Sequence, residues 1–217
     1  MDAIETYKHA GLTIEIHADE DVESPREWDN AGKLVIYGGG NLQDVNELDM
    51  TDDYAGWDEL DKAVLKSYPR AELLPVYRYE HGNVAYNTTG FSCLWDSGRV
   101  GFILCEHDTI VKEWGKTIAS KGAREMARKY MASEVETYSQ YANGEVYGYE
   151  IKDEHGKDLP GDFSDSCWGM YGLDYCKGEA ESAAIVVAEK WFTTAESRAA
   201  AEQQQRQEEA GQQRLAV

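Results

Sequence analysis

The sequence has no run of 18 apolar residues, so no membrane-spanning helix is expected. Its opening, Met1-Asp2-Ala3-Ile4-Glu5, holds neither a basic region nor an apolar stretch, which argues against a signal peptide. Cysteine is scarce. The four residues Cys93, Cys105, Cys167 and Cys176 form no C-x-x-C pair, which excludes a disulfide scaffold for a chain of 217 residues. Reduced thiols in a host-cell cytoplasm are the expectation. Bases are scarce as well. Lys and Arg number 21 against 41 Asp and Glu, for a formal charge of -20. A surface of that sign excludes direct binding to nucleic-acid phosphates and to anionic lipid. With 42% hydrophobic and 11% aromatic residues, what remains is a packed fold of one large domain or two small ones.

The acid is localised. Residues 1–61 hold 17 acids and 3 bases, a net of -14 out of -20. One cluster is Asp19, Glu20, Asp21 and Glu23; the other is Asp44, Glu47, Asp49, Asp52 and Asp53, followed by Asp58, Glu59 and Asp61. A solvated acidic face is the plain reading. A halophile would spread its acid more evenly. The sharper reading is a surface shaped for a basic groove, capturing the Lys and Arg that DNA would otherwise engage.

Several chemistries lack their signatures. Gly38-Gly39-Gly40 follows a strand but fits neither the Walker nor the dinucleotide spacing, and reads as a turn. Cys105 and His107 share one side of a strand, yet structural zinc sites show tighter pairs, so buried, unliganded thiols are expected. Asp49, Asp52 and Asp53 do not match a calcium loop. No catalytic residue, metal site or cofactor is assigned from the sequence.

Along the chain, Lys8–His17 reads as a strand with Leu12, Ile14 and Ile16 alternating, and Lys33–Tyr37 as a second. Thr51–Tyr68 reads as a helix capped by Thr51, with Tyr54, Trp57, Leu60, Val64 and Tyr68 on one face. Three strands follow at Leu73–Glu80, Val84–Thr89 and Arg99–Glu106, the first two joined through His81-Gly82-Asn83. Asp108 caps a short helix to about Lys116. A longer helix runs over Lys121–Tyr141, with a stripe of Met126, Tyr130, Met131, Val135 and Tyr138, and Gly144 ends it. A hairpin spans Glu145–Lys152 and Ser166–Tyr171. The final helix starts near Gly178 with Ala184, Val187, Ala188 and Trp191 as its buried face. The expectation is a single α+β domain over 1–195, mainly antiparallel sheet packed with three or four helices. Residues 196–217 form a Gln/Glu/Ala-rich helical tail without a coiled-coil stripe.

Four motifs stand out: Ser24-Pro25-Arg26-Glu27-Trp28-Asp29-Asn30, Ser92-Cys93-Leu94-Trp95-Asp96-Ser97-Gly98-Arg99-Val100-Gly101-Phe102, the run from Glu136-Thr137-Tyr138 to Val146-Tyr147-Gly148-Tyr149, and Asp165-Ser166-Cys167-Trp168-Gly169-Met170-Tyr171-Gly172. In this order they resemble a family of small proteins encoded by phages, prophages and other mobile elements, over roughly residues 8–175. Two departures are informative. Leu94 stands where relatives carry Pro. Gly38-Gly39-Gly40 stands where they carry a basic-aromatic stretch.

The resemblance implies a mobile-element setting, where small acidic proteins often block host nucleases. The expected function is therefore a non-enzymatic inhibitor of a host restriction- or CRISPR-type complex. It would bind that protein's basic, nucleic-acid-binding groove through Asp19, Glu20, Asp21, Glu23, Asp44, Glu47, Asp49, Asp52 and Asp53, as a nucleic-acid mimic. The alternative is an enzyme or small-ligand protein with a site built from Arg26, Glu27, Trp28, Asp29, Asn30, Trp95, Asp96 and Trp168. The bland reading of those residues is structural: Trp–Asp pairs that pin turns.

Overall fold

The computed structural model describes residues 2–38, 45–50, 54–93, 95–115 and 117–215, with side chains through residue 194. The α+β class holds. The strands divide between two antiparallel sheets, and the chain groups into two compact units. One comprises residues 1–20 and 146–217, the other residues 21–145.

The first unit is a four-stranded sheet backed by one helix. Its strands are β1 (Glu5–His9), β2 (Leu12–Ala18), β8 (Val146–Lys152) and β9 (Asp165–Tyr171), in the order β1-β2-β8-β9. The single strand expected over Lys8–His17 is thus a hairpin. Ala10 and Gly11 both take positive φ, 50° and 81°, which reverses the chain inside what the sequence pattern presents as one run. Leu12, Ile14 and Ile16 alternate inward as expected, and meet Tyr149, Ile151 and Met170. Helix α4 (Leu173–Leu215) closes that face with Cys176, Ala180, Ala184, Val187 and Ala188. It begins earlier than expected, and its backbone continues through the Gln-rich segment to Leu215. Period two puts Thr13, Glu15 and His17 of β2 on the other face, with Gly148, Glu150 and Lys152 of β8.

The second unit is a five-stranded sheet with helices on both faces. Its strands are β3 (Lys33–Ile36), β4 (Val45–Asn46), β5 (Glu72–His81), β6 (Asn83–Asn87) and β7 (Ser97–Cys105), in the order β4-β3-β7-β5-β6. Both faces of the central strands are apolar, so they read as short continuous runs rather than alternations. Leu34, Ile36, Ile103 and Cys105 face α2 (His107–Trp114) and α3 (Lys121–Ala142). Val35, Phe102 and Leu104 face α1 (Trp57–Ser67) through Leu60 and Val64. Phe102 is fully buried, and its truncation to Ala is expected to cost about 3–5 kcal/mol. Gly101 sits where the sheet closes most tightly. A Cβ there would lie 1.9 Å from the Val35 carbonyl oxygen.

Two helix assignments shift. Helix α1 starts at Trp57 behind Gly56; Thr51, Asp52 and Asp53, expected to cap it, lie outside the described residues. Helix α2 is preceded by Glu106 rather than Asp108. The buried face of α3 is Ala123, Ala127, Met131, Glu134, Val135 and Tyr138, while Met126 and Tyr130 are exposed. No helix among the described residues is long and apolar enough to cross a membrane.

Candidate functional site

The motif of residues 24–30 folds into a clamp. Ser24 caps a 3-10 turn over Pro25–Glu27, with its hydroxyl accepting from the Arg26 amide. The Asn30 amide donates to the Pro25 and Trp28 carbonyls and ties the turn off. The Arg26 guanidinium, 8% exposed, donates to both Glu47 oxygens, to Glu134 Oε2 and to the Gly32 carbonyl. Glu134, from the middle of α3, also accepts from the Ala31 and Gly32 amides at 2.8 and 3.2 Å. Glu47 accepts in turn from the Leu34 amide. Burial pulls Arg26 down, but the Glu47 and Glu134 carboxylates outweigh it and hold the guanidinium charged. Burial pushes Glu134 up, against Arg26 and the two amides. Every strong donor and acceptor here is matched, so the cluster fixes β3, β4 and α3 together.

The remaining residues of the alternative ligand site separate. Asp29 and Asn30 line a pocket of about 250 Å³ with Lys112, Glu113, Trp114 and Tyr130. Trp95 and Asp96 line a different pocket of about 490 Å³ with Arg78 and Glu80. Trp95 is 97% exposed, Trp28 about half exposed, and Glu27 exposed. Asp96 accepts from the Cys93 thiol at 3.4 Å and lies 3.6 Å from His81 Nδ1, a contact that pins the turn. Trp168 belongs to the first unit. Its indole lies on Gly148, where a Cβ would come within 2.3 Å of Cε3. That close approach explains the glycine inside Tyr147-Gly148-Tyr149.

The acidic residues divide by what they touch. Asp19 accepts from the Gly169 amide at 2.9 Å, joining the β2 end to β9. Glu47 is held in the clamp. Glu20, Asp21, Glu23 and Asp49 are exposed. Asp44, Asp52 and Asp53 lie outside the described residues. The three bases of residues 1–61 all make internal bonds. Lys8 donates to Thr13 Oγ1 and the Glu154 carbonyl, Arg26 sits in the clamp, and Lys33 pairs with Glu106 at 2.7 Å.

The cysteines are free thiols. Burial pushes Cys105 up to about 12 and Cys176 up to about 11, so neither supplies a thiolate nucleophile at neutral pH. Among the described residues one group brings three potential metal ligands together: Glu15, His17 and Glu150 of the first unit. Sequence reasoning missed it. Glu15 and His17 sit at the outward positions of an alternating strand, but their partner is brought opposite only by the β2–β8 register, 135 residues along. No family model, curated protein or solved structure matches the chain.

Proposed function

We propose that this protein is a phage-encoded, non-enzymatic inhibitor that binds a host nucleic-acid-binding defence complex in its basic groove, as a nucleic-acid mimic. What carries the reading is the one-sided charge of residues 1–61: 17 acids against three bases, all three of which are engaged internally. Glu20, Asp21, Glu23 and Asp49 are exposed and place their side chains at the surface, where a basic partner can reach them. Asp19 and Glu47 contribute field, but their carboxylates are also held in place by the Gly169 amide and Arg26. The alternative, an enzyme or small-ligand protein built on residues 26–30, 95–96 and 168, has less support. Arg26 and Asn30 are bonded into a turn, and Asp29 and Trp95 line separate pockets.

The test is capture from host lysate at low salt, with and without excess duplex DNA. The expected result is a nucleic-acid-binding complex that DNA displaces, that dissociates steeply as salt rises, and that a Glu20→Lys, Asp21→Lys, Glu23→Lys, Asp49→Lys variant no longer captures. A folded quadruple variant that captures the same complex equally well overturns the proposal.

A further inference from the structure

The outward face of the first unit's sheet carries two features that each cost free energy. Glu15 and Glu150 stand directly opposite each other on β2 and β8, a like-charge pair across an antiparallel ladder. His17, two residues along, is 5% exposed, yet neither ring nitrogen has a hydrogen-bond partner. Its Nε2 nevertheless lies 3.7 Å from Glu15 Oε2 and 3.9 Å from Glu150 Oε2. Thr13 on the same strand face shows the contrast. It is equally buried, but its hydroxyl donates to the Asp153 carbonyl and accepts from Lys8. Burying an unpartnered imidazole beside two carboxylates has no structural return.

We propose that Glu15, His17 and Glu150 form a binding site for a divalent transition-metal ion, with Zn²⁺ the best match. Two carboxylate oxygens and an imidazole nitrogen are hard-to-borderline donors suited to it, and the imidazole selects against Mg²⁺ and Ca²⁺. Ligand atoms around a tetrahedral ion with bonds of about 2.1 Å stand roughly 3.4 Å apart, so the observed 3.7 and 3.9 Å separations need only a few tenths of an ångström of closure. The three ligand atoms all lie within 4.8 Å of one another. Trp168 stacks beside His17 with ring centroids 5.8 Å apart, which fixes the ring's position. Without a metal, the Lys152 ammonium bridges the pair, 2.8 Å from Glu15 and 3.4 Å from Glu150. It has somewhere to go: Asp158, 3.5 Å from the same nitrogen and exposed. Of the three, Glu150 also lines a polar pocket of about 390 Å³, together with Lys152, Asp158, Ser164, Asp165 and Ser166. This site is independent of the acidic docking residues.

Calorimetric titration of the full chain with ZnCl₂, MnCl₂ and MgCl₂ tests it. One equivalent of Zn²⁺ should bind, Mn²⁺ more weakly and Mg²⁺ not at all. His17→Phe and Glu150→Gln should each weaken Zn²⁺ binding tenfold or more. His155→Ala, at an exposed imidazole, should leave it unchanged. Lys152→Met should tighten binding by about tenfold, because the competing ammonium is gone. A purely structural salt bridge would give no such gain. Should a variant fail to fold, the ¹⁵N shift of His17 Nε2 in the wild-type protein on Zn²⁺ addition reports ligation directly. Unchanged Zn²⁺ binding in folded His17→Phe or Glu150→Gln, an unmoved His17 resonance, or equal affinity for Mg²⁺ overturns the proposal.

Discussion

Two clusters of charged side chains, one in each unit, are built from the same parts and end differently. Around Glu134 a nearly buried carboxylate meets a guanidinium and two amides, and the guanidinium meets a second carboxylate and a carbonyl. Around His17 a buried imidazole faces two carboxylates without donating or accepting a hydrogen bond itself. The first arrangement is complete without a ligand. In the second, Lys152 bridges the two carboxylates but both imidazole nitrogens are left without a hydrogen-bond partner. Burial alone does not mark a functional group; burial with unmatched hydrogen-bonding capacity does.

The comparison breaks most visibly if Glu134 is truncated. Glu134→Ala takes one of the two carboxylates of Arg26 and leaves the Ala31 and Gly32 amides without their acceptor, so a loss of about 3–5 kcal/mol is expected in urea unfolding. His17→Phe without metal should do the reverse. It removes two unsatisfied nitrogens, keeps a ring beside Trp168, and should be neutral or stabilising by up to about 1 kcal/mol. If both substitutions cost the same, the two clusters are not different in kind.

A smaller effect is expected at Gly148. A Cβ there would meet the Trp168 ring at 2.3 Å, so Gly148→Ala should cost about 1–3 kcal/mol through displacement of the indole. Adding Trp168→Ala should recover part of that loss, a coupling read by the double-mutant cycle. Because Trp168 also stacks on His17, Gly148→Ala should loosen the imidazole as well, seen as broadening of its ring resonances.

The sequence made the fold class legible, but not which strands share a sheet. The hairpin through His81-Gly82-Asn83 and the pairing of β8 with β9 followed from turn residues between apolar runs. The Ala10-Gly11 reversal did not, because Lys8 to His17 keeps its period across the turn. The assignment of strands 12–18 and 33–36 to separate sheets depends on the return of β8 to β2, a pairing between residues far apart in sequence. The motif of residues 24–30 was legible as special and misleading as to why. Arg26 and Asn30 are invested in a turn, and the residue that completes the clamp, Glu134, reads as one more charge on a helix. The acidic bias was visible at once, whereas separating exposed Glu20 from clamped Glu47 needed their partners.

Two buried thiols let the two units be followed separately. Cys176 lies in the core of the first unit and Cys105 in that of the second. Burial raises both from an ordinary value of 9.0, to about 11 and about 12. A raised thiol favours the folded state fully below pH 9. That contribution is lost from about pH 9 upward for both thiols, levelling off near 11 for Cys176 and near 12 for Cys105, so both units should weaken in strong alkali, the second by more. At pH 8 both are protonated and shielded, so alkylation needs local opening. Exposed Cys167 and part-exposed Cys93 should react at once, and the buried pair far more slowly. Zn²⁺ then sharpens the contrast. An ion held by Glu15, His17 and Glu150 stabilises the unit that contains Cys176, so saturating metal should slow Cys176 labelling about tenfold while Cys105 labelling stays as it was. Mass spectrometry of the alkylated peptides reads both rates in one sample. Equal slowing at both cysteines would place the metal's effect outside the first unit's sheet.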